Sequence, residues 1–290
     1  LPLPPLSLSA SSDIAPPSVT VLGGSGFVGS RVCRALVRSG ASVASVSRSG
    51  APPSWCADAD WSSSVDWRAA DLTRGSRESL EEAVGNPSAV VSCVGAVGFD
   101  VRGLQLGNGV ANAEGVRAAK KTGAEKFIYV SVASEVAESA GWLPYYFRDG
   151  YFEGKKDAET AATATFGEEA TFLRPSFVYG GEGFGLFPPR VSEAYGSGVE
   201  ELLSKEGFRF LADLLPGLLG VAFRPPVSVD ALAEACARCA LGEVEEKDLD
   251  GTLAINSAAD WPAATGLTEF IDFLKEGASK AQNKLEEMQQ

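Results

Sequence analysis

Between positions 19 and 180, short apolar runs alternate with stretches whose apolar residues return every three to four positions. Val19, Val21 and Leu22 form the first run, which suits a strand buried on both faces. Val28, Val32, Ala35, Leu36 and Val37 then recur at helical spacing, and Gly40 ends that helix. The same pattern predicts strands at Ser42–Ser47, Val65–Ala69, Ala89–Val94 and Lys126–Val132, with a sixth within Ala170–Tyr179. Helices are predicted at Glu78–Val84, Asn108–Lys121 and Tyr151–Ala164. Such a series requires right-handed crossovers, so the expected fold is α/β, a Rossmann-type doubly wound parallel sheet.

Past Gly180 the alternation breaks. GGEGFGLFPPR reads as a Gly- and Pro-rich loop, 191–224 as helical, and PPVSV at 225–229 as a short strand. A helix at Asp230–Leu241 follows, and Leu253–Asn256 reads as a last strand. These segments predict a small C-terminal helical cap, drawn mainly from 181–260. Leu267, Phe270, Ile271 and Leu274 give one more amphipathic helix within a polar tail, 261–290. The first 18 residues, rich in Pro and Ser, read as a flexible leader of the kind left when a transit peptide is removed. The nucleotide-binding domain is therefore expected over 19–260, in an organelle, with the plastid preferred to the mitochondrion. No run is long and apolar enough to predict a transmembrane helix.

Composition removes several functions. A net charge of −13 argues against nucleic acid or an anionic membrane surface as the main partner. The chain has no histidine, which excludes histidine-based triads, shuttles and metal ligands. Proton transfer must then use Tyr, Lys, Cys, a carboxylate or water. The five cysteines suggest no disulfide framework, and Cys236 and Cys239 read as two small buried residues on one helical face. No second Cys pair completes a metal site, so no metal is expected.

The chemistry concentrates at the first turn. Gly23, Gly24, Gly26 and Gly29 fit both G-x-G-x-x-G and G-x-x-G-x-x-G, directly after a strand and directly before a helix. Glycines there allow a tight turn and close approach to a pyrophosphate, which the helix N-terminus attracts. Gly23, Ser25, Gly26, Phe27, Val28 and Gly29 are thus expected to bind a dinucleotide. The second strand ends in Ser47-Arg48-Ser49 with no carboxylate. An Asp or Glu there would accept from the ribose 2′-hydroxyl of NAD, whereas Arg48 with flanking hydroxyls suits a 2′-phosphate. The expected cofactor is NADP(H) in preference to NAD(H). Cys93, Val94 and Gly95 close the fourth strand at the edge where open α/β sheets bind ligands.

GGSGFVG, DLT at 71–73, SCVG at 92–95, NGVAN at 108–112, FIYVSVAS at 127–134, YFEGK at 151–155 and LRPSFVYG at 173–180 together resemble the extended and atypical short-chain dehydrogenase/reductases. GYFEGK and LRPSFVYG carry a nearer likeness to plastid NAD(P)-binding proteins and to the mitochondrial accessory protein of coenzyme Q biosynthesis. The nucleotide-binding subunit of respiratory complex I stands further off. The resemblance implies that Tyr151 and Lys155 form the superfamily's Y-x-x-x-K pair, one helical turn apart. Lys155 would lower the phenol's pKa and hold the nicotinamide ribose, and Tyr151 would exchange a proton with a carbonyl or alcohol. The hydroxyl expected after the fifth strand falls on Val132, leaving Ser131 or Ser134 as the replacement. Asp71 and Leu72 match the adenine-contacting position, where Asp71 can also cap the turn that follows, and Pro175 to Val178 match the segment behind the nicotinamide. The FRFLADLLPGLLGVAF stretch at 208–223 reads either as a cap completing the core or as a lid for a lipid-like substrate or docking face. Two functions follow: an oxidoreductase on a hydrophobic carbonyl or quinone-related substrate, or a non-catalytic accessory subunit of an organellar membrane complex.

Overall fold

The structure, a computed structural model, describes residues 15–181, 185–186, 189–190, 192–208, 215, 220, 223–265, 267 and 271. Its first half runs β1 Ser18–Leu22, α1 Phe27–Arg38, β2 Ser42–Ser47, β3 Val65–Ala69, α2 Arg77–Val84 and β4 Ala89–Ser92. There follow α3 Val101–Gln105, α4 Ala111–Lys121, β5 Lys126–Val130, α5 Ser134–Glu138, α6 Glu153–Phe166 and β6 Ala170–Arg174. The remaining elements are β7 Val178–Tyr179, β8 Gly185–Leu186, β9 Pro189–Arg190, α7 Glu193–Leu203, β10 Val227–Ser228, α8 Val229–Leu241, β11 Asp248–Asp250 and α9 Gly251–Ala259.

Seven strands form the main sheet in the order β11-β6-β5-β4-β1-β2-β3, and each pairing is parallel. Winding reverses between β1 and β4, which opens a crevice at the strand C-termini, where such sheets bind ligands. Alternation along each strand sends successive side chains to opposite faces. Ile128 and Val130 of β5 join Val32 and Leu36 of α1 and Leu232 of α8 in one core. Phe127 and Tyr129 pack with Leu80 of α2, Val116 of α4 and Ala162 of α6 in the other. Each fully buried Leu or Val contributes about 1.5–3 kcal/mol to holding these layers together.

Two strand expectations change. Leu253–Asn256 lies inside helix α9, and the last strand is β11, in which Leu249 alone is buried. An edge strand needs few apolar residues, so Asp248-Leu249-Asp250 carries little strand signal. The sixth strand is split, because Pro175 ends β6 and β7 leaves the main sheet to pair with β10. The helical reading of 191–224 is met by α7; most of 208–223, including Leu214 and Leu218, lies outside the described residues. So do positions 1–14 of the leader and nearly all of the helix expected from 267 to 274.

The segment after Gly181 docks through one buried carboxylate. The Tyr179 hydroxyl donates to Glu200 Oε2 at 2.7 Å, and Asn256 Nδ2 donates to Oε1 at 2.7 Å. Gly196 lets α7 close on Tyr179, since a Cβ there would sit 2.2 Å from the ring. Burial raises the Glu200 pKa above the usual carboxylate range. A raised folded pKa means that the folded state binds the proton more tightly, so stability falls as pH climbs through it. Glu200→Gln should therefore raise the calorimetric unfolding midpoint at pH 8 and have little effect near pH 4. Asn256 Oδ1, which lacks a partner among the described residues, can turn to accept from the new amide.

Candidate functional site

The turn between β1 and α1 is built by close backbone contact. Gly23 adopts φ +79°, and its N–H donates to Val46 O at 2.8 Å, tying the turn to β2. A Cβ on Gly29 would lie 2.3 Å from the Gly23 carbonyl oxygen, so only glycine lets the helix seat this close. The fit of a dinucleotide pyrophosphate can be judged from the helix start. Gly26 is its N-cap and offers no side-chain cap, and the first turn carries no acidic residue. Phe27, Val28 and Gly29 thus begin a helix whose positive end is left to an external anion.

At the end of β2, three hydroxyls converge. Ser25 Oγ lies 2.8 Å from Ser47 Oγ, and Ser49 Oγ donates to Ser25 Oγ at 3.4 Å. Ser25 also donates to Ala51 O at 2.5 Å, closing the loop beneath. Arg48 projects exposed beside them. Asp71 accepts from Thr73 N at 2.8 Å, Thr73 Oγ1 at 2.7 Å and Arg74 N at 3.2 Å, so its carboxylate organises its own turn. Those bonds hold its pKa below the usual range, and the Thr73 hydroxyl leads. Leu72 next to it is half-buried against the α2/α4/α6 core.

The loop after β4 is fixed by two buried asparagines. Asn108 Nδ2 donates to Ala96 O and to Leu104 O, both at 2.9 Å, while its Oδ1 accepts from Ala96 N at 3.1 Å. Asn112 Nδ2 donates to Val94 O at 3.2 Å and Asn108 O at 2.8 Å, and its Oδ1 accepts from Ser92 Oγ at 2.5 Å. These bonds clamp Cys93, Val94 and Gly95 at the strand edge. Cys93 N donates to Leu22 O at 2.9 Å, and burial pushes its thiol up to about 12, so it stays a neutral packing residue at neutral pH. The i, i+4 spacing of Asn108 and Asn112 within NGVAN places both on one helical face, and their partners in the β4 loop emerge only from the fold.

Leu106–Val110 and Phe147–Phe152 are both π-helical, and they carry Asn108 and Tyr151 respectively. Wide turns of this kind re-aim side chains and recur at functional sites. The two helical segments approach through glycines: a Cβ on Gly109 would lie 3.2 Å from Gly154 Cα. Lys155 is buried, and its Nζ donates to Val130 O at 2.8 Å. The same Nζ lies 4.8 Å from the Tyr129 ring, 5.9 Å from the Tyr151 ring and 3.7 Å from a Cβ placed on Gly95. It therefore sits across the ends of β4 and β5. Burial lowers the Lys155 pKa to about 8. The expected depression of the phenol is not seen, because burial pushes Tyr151 up to about 12.

Ser131 and Val132 turn to opposite faces, as adjacent residues of extended chain must. Val132 is buried, and the Ser131 hydroxyl is buried without a partner among the described residues. Pro175 is buried behind them with its carbonyl accepting from Ala133 N at 3.0 Å, and Val178 lies half-buried in β7. Ser134 starts α5, with its N–H donating to Asp250 Oδ1 at 3.2 Å.

An uncapped glycine turn at a helix start, a hydroxyl-lined β2 end and a buried lysine over the strand termini define the nicotinamide-dinucleotide-binding Rossmann proteins. The chain matches the model of the NAD dependent epimerase/dehydratase family over residues 19–247 and belongs to that family. A chloroplastic uncharacterized protein of Arabidopsis thaliana is 32% identical over 247 residues, covering 84% of this chain and 77% of its own. MIOREX complex component 2 of Saccharomyces cerevisiae is 41% identical over 81 residues, 27% of this chain and 28% of the yeast protein. Among solved structures, WbmH of Bordetella bronchiseptica, in complex with NAD+, superposes with a TM-score of 0.55 at 16% identity, over 85% of this chain and 80% of that one. A dTDP-4-dehydrorhamnose reductase of Bacillus anthracis, in complex with NADP, gives 0.51 at 13% identity, over 87% and 84%. At these identities the structures share the fold.

Asn112→Leu removes the side-chain donor to the Val94 and Asn108 carbonyls and the acceptor of the Ser92 O–H. A buried polar group left without its partner costs about 1–3 kcal/mol. Urea unfolding should show a lower midpoint with an unchanged slope, and dinucleotide affinity should fall with it.

Proposed function

We propose that the chain is an NADP(H)-dependent oxidoreductase of the short-chain dehydrogenase type that acts on a hydrophobic carbonyl or quinone-related compound in an organelle. The observation that carries this reading is the buried Lys155 ammonium, 5.9 Å from the Tyr151 ring at the ends of β4 and β5. Gly23, Ser25, Gly26, Phe27, Val28 and Gly29 would hold the pyrophosphate, Asp71 and Leu72 the adenine, and Cys93, Val94, Gly95, Lys155, Pro175 and Val178 the nicotinamide riboside. Bound NADPH supplies a hydride for a carbonyl carbon.

Tyr151 then gives its proton to the carbonyl oxygen. A phenol held near 12 is fully protonated at neutral pH, which suits donation in the reducing direction. Lys155 offsets the charge left on the phenolate, and Ser131 is the hydroxyl available to polarise the substrate oxygen. Support for NADP(H) lies in Arg48 and the Ser25, Ser47 and Ser49 hydroxyls, with no acid at positions 47–49. Support for an apolar substrate comes from the aromatic ladder that leads to Tyr151. Exposed Phe99 meets Tyr146 at 5.4 Å, Tyr146 meets Phe147 at 5.0 Å, and Phe147 meets Tyr151 at 6.4 Å.

The accessory-subunit reading is favoured by one feature, the apolar Val132 where the superfamily keeps a hydroxyl. The organellar assignment, plastid before mitochondrion, draws on likeness to the Arabidopsis chloroplastic protein. Turnover of NADPH with quinone and aldehyde panels separates the two functions. An enzyme loses at least about 10²-fold in kcat on Tyr151→Phe, within the range for general acid catalysis. A structural subunit shows nucleotide-dependent thermal stabilisation and no turnover. Calorimetric titration should show tighter binding of NADPH than of NADH, with most of the difference removed by Arg48→Ala; a clear preference for NADH refutes the cofactor assignment. Because Lys155 loses its proton near pH 8, kcat/KM for reduction should decline as pH rises through that value.

A further inference from the structure

Positions 48–64 join β2 to β3, with the exposed Arg48 and Ser49 at their start. An exposed arginine reads a 2′-phosphate well only if the loop beneath it is already in place, because ordering a loop on binding draws on the affinity. The near side of this loop is fixed at the nucleotide site itself. Ser25 Oγ donates to Ala51 O at 2.5 Å, and Gly50 N donates to Ser47 Oγ at 3.2 Å. Gly50 takes φ +59° and passes so close to the end of β3 that a Cβ would lie 2.7 Å from Ala69 N.

The far side is held by Trp55. The Arg31 guanidinium lies 4.6 Å from the centroid of the Trp55 ring and 4.7 Å from that of Phe27, and Arg34 lies 5.8 Å from the same Trp55 ring. Both arginines are themselves fixed on α1. Arg34 Nη2 donates to Asp230 Oδ1 at 2.7 Å, Arg31 Nε lies 3.6 Å from that oxygen, and Arg31 Nη1 donates to Phe27 O at 2.9 Å. Trp61, further along the loop, meets Trp55 at 5.9 Å and packs against the α1 core, and Cys56 is buried beside them. Trp55 is 46% exposed, so its hold comes from stacking on two fixed cations more than from burial.

Between these two anchors the chain runs Pro52-Pro53-Ser54. A proline ring locks φ at about −65°, so two in succession make a stiff link. Pro53 has φ −69° and ψ 153°, an extended strut. The position of Trp55 is therefore passed back to Gly50 and Ser49 with little slack.

We infer that Trp55 is a positioning residue for cofactor choice: stacked on Arg31 and Arg34, it holds the loop that presents Arg48 to the ribose 2′-phosphate. The inference rests on the NADP(H) assignment and on no catalytic step. Loss of the stack weakens NADPH and spares NADH, which has no 2′-phosphate for Arg48 to read.

Calorimetric titration of the full chain with NADPH and with NADH tests it. The proteins compared are wild type, Trp55→Ala, Trp55→Phe, Arg48→Ala and the combined Arg48→Ala, Trp55→Ala variant. Trp55→Ala should weaken NADPH by roughly five- to tenfold and leave NADH within about twofold of wild type. Trp55→Phe keeps an aromatic face for Arg31 and should retain most of the preference. The combined variant should show the preference of Arg48→Ala alone, because both changes remove the same contact. Thermal melts report whether each variant folds. If Trp55→Ala does not, Pro52→Gly with Pro53→Gly leaves the stack in place and slackens the strut; a selective loss of NADPH affinity there supports the inference, and its absence overturns it. The inference is also overturned if Trp55→Ala leaves NADPH affinity unchanged, if NADPH and NADH weaken equally, or if the combined variant loses more preference than Arg48→Ala. A wild type without preference for NADPH, or with one that Arg48→Ala leaves intact, refutes the cofactor assignment itself, and this inference with it.

Discussion

The missing Cβ at Gly29 is the constraint on which the arrangement rests. With the helix seated directly on the Gly23 carbonyl, α1 lies close against the sheet and its positive end faces the strand-edge crevice. The same helix then fixes the rest of its layer. Arg31 lies between the Phe27 and Trp55 rings, 4.7 and 4.6 Å from their centroids, and Arg34 reaches Asp230 of α8 at 2.7 Å. The glycine contact thus sets the position of α8, and through β10 and β7 the register of the C-terminal segment.

An acidic protein can still offer an anion-friendly crevice, because net charge acts at long range and is screened within about a Debye length. Near the strand ends the relevant groups are the helix start, the clustered serines, Arg48 and Lys155. Only Lys155 among these is buried, which makes it the group whose surroundings most affect its behaviour.

Much of this was legible from local pattern. Strands β1, β2, β4, β5 and β6 announce themselves as apolar or small-residue runs because the inner strands of a parallel sheet are buried on both faces, and the glycine turn is a contiguous motif. What was hidden depends on distant partners. β11 is an edge strand with acidic flanks, so the more apolar Leu253–Asn256 carries the strand signal that belongs to Asp248–Asp250. The clamping role of Asn108 and Asn112 appears only when their helix is laid beside the β4 loop. Ser131 could be named from its place after β5, but its burial without a partner among the described residues required the fold. Proximity of the Tyr151 phenol to an ammonium is visible in spacing, whereas the burial that raises its pKa is not.

The paired π-turns have a consequence for how this chain tolerates change in length. Each wide turn holds one residue more than an α-helix of the same rise would need. Removing a single residue from 106–110 would restore regular winding with α3 and α4 kept in place, because the wide turn already absorbs the extra residue, and only the side chains within the turn would change direction. Asn108 would leave the β4 loop without breaking any strand or helix. The same holds for 147–152 and Tyr151. The fold can therefore outlast its site across a one-residue deletion, and a homologous chain lacking either wide turn would keep the Rossmann architecture while presenting different side chains to the cofactor.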